Sequence, residues 1–562
     1  MSDQIPDGYQ QTTWKVEGLG DIRGWIDPDG STQFFGVPYA DLSARFRHST
    51  LKTSWEGGKC DCTSMRGYSP QPERKVYPFL IPDRPNAGKM YIDEFDSFNL
   101  QITIPAGAKP TDRLPVLVYV HGGAFIFGTG NYSLLDGKAL AKESVELGIP
   151  TIIITFNYRC GFFGFLCSSD IAEDNEQFGG GNGNFGLMDQ KNALLWINQY
   201  ISSFGGDPSR LTVAGQSAGA ASMDVHLRSP HNNLFSSVIL LSGTAPICGV
   251  YTPEEYEVLY YKLLTEVGIP HNLPPAERLT KLRQTPHEVV AHASHAVFQG
   301  LEQTQFGIGS DVSIFGKDFQ LTQPSDYPGK KLDYPGRIMI GDCLHEGIIY
   351  VASYGVLNGE QAISVIRKHV PEDFLAKYLD HYGIKPSMSA QEVSPCLQLV
   401  LTDCMFTAPP YYIEQANPEK TYSYHFNQAS ELDNPWRGLA HHSLDYMYVF
   451  GNIRFRLNEA SRKLTKVMAS DFLTFANGKA PYPAVGDKMT SRTYGPNGAY
   501  DVTEGPSAIM RPVEWFEEIK PYMNELFKLA GDLNVYQSEL LSYDYGPGSK
   551  GEHGTARLVP RG

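Results

Sequence analysis

Leu211-Thr212-Val213-Ala214-Gly215-Gln216-Ser217-Ala218-Gly219-Ala220-Ala221 decides how this chain is read. Three β-compatible residues run into Gly-x-Ser-x-Gly, and a helix-compatible segment follows, with Met223, Val225 and Leu227. Strand, sharp turn and helix with a serine at the apex is the pattern of a nucleophile elbow. Such a turn strains its central residue, and Gly215 and Gly219 leave room where side chains would meet the neighbouring strand and helix. Small residues around a serine also occur in plain turns, so the surroundings must carry the rest.

The surroundings are those of a buried parallel sheet. Residues 114–120 (Leu-Pro-Val-Leu-Val-Tyr-Val) form a near-continuous apolar run that ends in His121-Gly122-Gly123-Ala124-Phe125. A second run over 151–156 leads into Asn157-Tyr158-Arg159, and 238–241 and 336–340 are further strands of the same kind. Runs without polar alternation belong to strands covered on both faces. A helix is predicted over 188–201, with Ala193, Leu194, Trp196, Ile197 and Ile201 at helical spacing. Residues 31–40 read as a strand ending in a turn. Residues 51–99 are irregular, with an apolar patch at 76–81; a loop this long is usually functional or mobile. Segments 253–296, 360–416 and 458–477 are helical in pattern. The expected fold class is α/β: a large, mostly parallel central sheet, helices on both faces and helical insertions after the elbow. No repeat or linker divides the chain, so we expect one domain over 1–545.

Composition narrows the partners. The 562 residues carry 47 Lys and Arg against 62 Asp and Glu, a net charge of −15, which leaves no basic stripe for nucleic acid. No run of about 18 apolar residues predicts a transmembrane helix. The first residues lack the basic and apolar regions of a secretory signal. The last five, Leu558 to Gly562, read as an added protease-cleavage remnant, so 546–562 is set aside as a tail. Eight cysteines are too few and scattered for a disulfide framework. Cys60-Asp61-Cys62 lacks a second ligand pair, so no metal is expected, nor any cofactor. The sequon Asn131-Tyr132-Ser133 carries no weight alone.

A serine nucleophile needs a base, a group to orient that base, and donors for the oxyanion. His121-Gly122-Gly123-Ala124, directly after a buried strand, has the form of an oxyanion loop. The acid and base should follow the serine in that order. Gly341-Asp342-Cys343-Leu344-His345-Glu346-Gly347 lies at a strand's carboxyl end and offers two acids, Asp342 and Glu346. His441 and His442 compete as the base.

Together these residues resemble the type-B carboxylesterase/lipase family, which includes cholinesterases and fungal lipases. The matching blocks are Phe35-Gly36-Val37-Pro38-Tyr39-Ala40, His121 to Phe125, Asn157-Tyr158-Arg159 with Phe163-Gly164-Phe165-Leu166, Gly183 to Gln190, Phe204-Gly205-Gly206-Asp207-Pro208, the elbow, and Leu241-Ser242-Gly243. The likeness covers residues 18–530 and implies an α/β-hydrolase fold with a gorge-like site. The family places its acid immediately before a glycine, which implies Glu346, and its base seven residues before Val449-Phe450, which implies His442. It implies Ser217 as nucleophile and the N–H groups of Gly123, Ala124 and Ala218 as the oxyanion hole. His121, Phe125 and Gln216 are candidate substrate contacts. We expect Arg159 in a structural ion pair, Cys343 as a small buried filler and Asp445 in a supporting polar network.

Three departures matter. Both positions of the family's first disulfide are serines here, Ser69 and Ser97, which fits a reducing compartment and an intracellular, fungal-type enzyme in the cytoplasm. Gln216 stands where many relatives carry Glu. No tryptophan lies between Ser69 and Ser97, where cholinesterases hold theirs, so cation–π attraction worth ~0.5–2 kcal/mol is missing for a choline ester. The expected activity is hydrolysis of an uncharged ester or lactone. The alternatives are a lipase, an acyltransferase or lactone-modifying enzyme, and a non-catalytic binding protein of the same fold.

Overall fold

Valine, isoleucine and leucine runs need cover on both faces, and the chain supplies it with one long twisted sheet between helical layers. The computed structural model describes residues 7–72, 84, 87–178, 180–297, 306–309, 315–316, 319–502 and 513–535. The main strands are β1 (Gln10–Val16), β2 (Gly20–Ile26), β3 (Thr32–Pro38), β4 (Asn99–Ile104), β5 (Leu114–Val120), β6 (Ile152–Phe156), β7 (Gly206–Gln216), β8 (Ser237–Leu241), β9 (Arg337–Cys343), β10 (Thr421–Phe426), β11 (Ser491–Tyr494) and β12 (Ala499–Val502). Their spatial order is β1-β2-β3-β4-β6-β5-β7-β8-β9-β10-β11-β12. From β6 to β11 neighbours run parallel.

The predicted buried strands over 114–120, 151–156, 238–241 and 336–340 all belong to this parallel centre. The margins differ from expectation. β1 to β4 and the β11–β12 pair are antiparallel. β1 shows why such strands escape a search for apolar runs: Gln10 and Gln11 are exposed and only Val16 is buried. The helix predicted over 188–201 spans Phe185–Tyr200. The segment 253–296 resolves into Pro253–Glu266, Pro275–Gln284 and His287–Val297, and 458–477 into Glu459–Ala476.

The segment 360–416 is less regular than its pattern. Helices Gly359–Ile366, Glu372–Tyr382 and Ala390–Leu401 are followed by a wide π-helical stretch, Thr402–Thr407, and then Ala408–Ala416. Pro409 and Pro410 open that last helix and bring no N–H to the turn before them. π-Helical turns often mark functional sites.

Arg159 lies in a buried ion pair with Asp189, at 2.8 Å, as expected, and a second guanidinium nitrogen donates to Arg47 O. Asn131 is buried, and its amide donates to Arg66 O, so the sequon is folded into the structure. All eight cysteines are free; the Sγ atoms of Cys60 and Cys62 are 3.4 Å apart. Ser69 Oγ accepts from Cys160 N, and Ser97 Oγ donates to Glu94 O. No helix among the described residues is long and apolar enough to cross a membrane. The apolar patch at 76–81 and the tail 546–562 lie outside the described residues.

Candidate active site

Strand β7 ends at Gln216, and the helix Ala218–Arg228 starts two residues later, which leaves Ser217 alone at the corner. Its φ of 54° and ψ of −124° are strained for a side-chain-bearing residue. Two close approaches force the corner. A Cβ on Gly215 would lie 2.3 Å from Gly219 O, and one on Gly219 would lie 2.2 Å from Val120 O. Both glycines are therefore required, one by the helix and one by strand β5. Ser217 N donates to Leu241 O at 2.9 Å, which ties the corner to β8 as well.

The glycine loop after β5 comes directly against this corner. A Cβ on Gly122 would sit 2.6 Å from Gln216 O and 2.9 Å from Ser217 Cβ. Gly123, Ala124 and Phe125 all have positive φ, at 114°, 53° and 57°. The N–H groups of Gly123, Ala124 and Ala218 donate to nothing among the described residues. Idle backbone donors in a folded site call for an acceptor from outside.

Several side chains hold the loop. Tyr158 OH donates to His121 O, and the two rings stack with centroids 4.3 Å apart. His121 Nδ1 lies 2.9 Å from Gly122 O, and burial lowers its pKa to about 4, so the ring is neutral. His121 Nε2 has no partner among the described residues. Phe125 is buried with its ring stacked on Phe165 at 4.2 Å. Asn157 Oδ1 accepts from Thr129 Oγ1 and Gly130 N. Gln71 closes the far end with a two-point clamp, donating to Gly128 O and accepting from Gly128 N.

The histidine and the acid arrive on separate segments. The backbone of His345 bridges to that of His441, which brings the end of β9 beside the segment before helix Leu444–Phe450. His442 Nδ1 makes a very short contact with Glu346 Oε2. The other carboxylate oxygen, Oε1, accepts from Cys343 N at 2.6 Å. Glu346 is fully buried. Asp342, its rival in the sequence, is engaged elsewhere: Oδ1 lies 2.7 Å from His425 Nδ1, and Oδ2 accepts from Thr407 Oγ1. His441 is turned away, with Nδ1 toward His442 O and its ring beside Trp436; burial lowers its pKa to about 4.

A polar layer backs the pair. Asp445 accepts from Tyr424 OH at 2.8 Å, from Ser242 Oγ at 3.3 Å and from Tyr446 N at 2.8 Å. Burial, then the nearby Glu346 charge, raise its pKa to about 6. Cys343 is fully buried beside Ser242, a small filler as expected. The π-helical stretch contributes two contacts that the sequence did not point to. Phe406 meets the His442 ring edge-on at 5.2 Å, and Thr402 Oγ1 accepts from Gly347 N next to Glu346. The Pro409-Pro410 pair was the only local hint of that irregularity. Gln71 had none.

A parallel sheet with an elbow serine, a glycine loop and a buried carboxylate–histidine pair defines an α/β-hydrolase. The model of the carboxylesterase family matches residues 10–507, and the chain belongs to that family. It is 27% identical to Lipase 3 of Yarrowia lipolytica over 500 residues, covering 87% of this chain and 92% of the relative. It is likewise 27% identical to the para-nitrobenzyl esterase of Bacillus subtilis over 487 residues, covering 82% and 89%. A solved structure of a PNB esterase shares the fold with a TM-score of 0.70 at 23% identity, covering 88% of this chain and 97% of that one. The protein is thus a serine-type hydrolase of carboxylic esters.

Proposed function

We propose that Ser217 is the nucleophile, His442 the general base and Glu346 the acid that orients it, with the N–H groups of Gly123, Ala124 and Ala218 as oxyanion donors. The observation that carries this is one constellation. A strained serine stands beside three idle N–H groups, and a buried histidine–carboxylate pair faces the same corner.

The chemistry follows from the roles. Ser217 Oγ attacks the ester carbonyl carbon while its proton passes to His442 Nε2. The carbonyl oxygen becomes an oxyanion and takes the three N–H groups, which need no reorganisation at that moment. Glu346 accepts from Nδ1, which holds the ring in position, and offsets the imidazolium charge. His442 returns its proton to the leaving alcohol, and the acyl group remains on Ser217. Water then repeats the sequence and frees the acid.

The substrate in this reading is an uncharged ester or lactone, because Gln216 brings no charge beside the serine. His121 Nδ1 donates to Gly122 O, so the unpaired Nε2 of the neutral ring serves as an acceptor for substrate, and Phe125 backs the oxyanion loop. The paired serines Ser69 and Ser97 support work in a reducing compartment, hence in the cytoplasm. Relatives that carry the name lipase favour a second reading, action on long acyl chains. Rates on short and long acyl esters, below and above micelle formation, separate the two.

Ser217→Ala should lower kcat by ~10⁴–10⁶ and abolish labelling by an organophosphonate. Undiminished ester hydrolysis in that variant would overturn the assignment.

A further inference from the structure

Gln216 ends the strand that delivers Ser217, and its side chain meets the base itself. Its Nε2 lies 3.0 Å from His442 Nε2 and 3.0 Å from Ser443 Oγ. The other ring nitrogen of His442 is engaged by Glu346. A carboxylate at Nδ1 fixes the proton there and leaves a lone pair on Nε2. An amide NH2 is the matching group. It has two donors, one for that lone pair and one for the Ser443 hydroxyl. Turned over, it would aim its carbonyl at the lone pair, acceptor against acceptor. Gln216 is 3% exposed and His442 5%, so the bond is largely shielded from water. Ser443 presents its hydroxyl from a left-handed backbone, φ 73°.

One lone pair does not serve two donors. With Gln216 on it, Ser217 Oγ makes no hydrogen bond to the base in this structure. We propose that Gln216 is a positioning residue that parks His442 in the resting enzyme: it holds the neutral imidazole by its Nε2 lone pair, and an arriving ester exchanges Gln216 for Ser217 on that lone pair. This rests on His442 being the base.

Parking has two consequences of known sign. A donor on Nε2 favours the neutral ring, whereas a carboxylate in the same place favours the protonated ring. The bond must also break before Ser217 can be activated, so it adds to the barrier. The titratable groups that face His442 are Glu346 from the loop after β9, and His441 and Asp445 from its own segment. From the π-helical stretch the Phe406 ring meets His442 edge-on. Gln216 is the group from β7, and exchanging it leaves the others in place.

The test measures phosphonylation of Ser217 by a small uncharged fluorophosphonate from pH 5 to 9, with the site read by mass spectrometry. Gln216→Met keeps the length and removes the donor. Labelling on the pH plateau should become ~2–10-fold faster, the worth of one net hydrogen bond. Gln216→Asn, which withdraws the donors by one methylene, should behave the same way. Gln216→Glu should move the acid limb of the profile up by about one pH unit or more, since a contacting carboxylate attracts the imidazolium. Slower or unchanged labelling in both Met and Asn variants, or an unmoved acid limb in the Glu variant, overturns the parking alone. A wild-type chain that takes no label at Ser217 overturns the nucleophile assignment and the parking with it.

Discussion

Gly122→Ala tests the joint between the glycine loop and the elbow. The new Cβ would lie 2.6 Å from Gln216 O, 2.7 Å from Gln216 Oε1 and 2.9 Å from Ser217 Cβ. Ordinary contacts begin near 3.4 Å, so the loop must retreat by roughly 0.5–0.8 Å. A backbone oxygen and a Cβ cannot swing aside as the end of a flexible side chain would. Gly122 does not have a positive φ, so the effect is contact and not backbone strain. Gly123 and Ala124 follow directly in the chain and carry their N–H groups away with them. A misplacement of this order costs ~10²-fold in rate, and a lost oxyanion donor ~10²–10³-fold. We expect kcat to fall by ~10²-fold, equivalent to ~2.7 kcal/mol. KM for a small aryl ester should change little, because the proposed role of these donors is on the transition state. The assay is steady-state hydrolysis normalised by titration of Ser217, beside a melting curve that excludes gross unfolding. A folded variant with wild-type kcat would refute the contact at Gly122 and its role in seating the donors.

Two further predictions concern stability. Arg159→Met leaves the Asp189 carboxylate buried without its guanidinium partner and should cost ~3–5 kcal/mol in urea unfolding; a loss below about 1 kcal/mol would show that the pair is dispensable. Burial pushes the Glu414 carboxyl up from 4.5 to about 7, in a pocket with Ser423, His425 and Asp342. A raised folded-state value means that the protonated form suits the native state: the contribution is fully present below about 4.5 and is lost as pH rises through about 7. Glu414→Gln should therefore remove a loss of ~2–3 kcal/mol between pH 5 and 8, and parallel stability–pH curves for wild type and variant would exclude this.

What the sequence disclosed follows from which interactions are local. The elbow is legible because each small residue answers a contact one turn or one strand away: Gly215 faces Gly219 O, and Gly219 faces Val120 O. The central strands are legible because burial on both faces leaves no alternation to confuse. The antiparallel margins were not, since β1 alternates exposed and half-buried residues and has no apolar run. Asp342 and Glu346 are equal by composition; the family resemblance implies Glu346, and in the structure the partners of each carboxylate differ: Thr407 and His425 for one, His442 for the other. The Gln71 clamp on Gly128 spans 57 residues, and Phe406 reaches His442 from a segment that reads as ordinary helix. Contacts of that range leave no periodic trace.

The order of the central strands explains why these distant pieces meet. Chain order and spatial order disagree at one place in the sheet's middle, where β6 lies outside β5 and the next strand, β7, lies on β5's other side. Connections before and after that reversal leave on opposite faces, so a crevice opens between the carboxyl ends of β5 and β7. Those two ends carry the glycine loop and Ser217. Parallel register aligns them: Gly215 is opposite Val120 on one side and Leu240 on the other. Two strands further along, β9 ends at Cys343, whose N–H takes the Glu346 carboxylate. The parallel direction puts this end on the same side of the sheet, and His442 spans the gap from Glu346 to Gln216. The reversal in topology, more than any local motif, is what converts a serine in a turn into a serine beside idle backbone N–H groups.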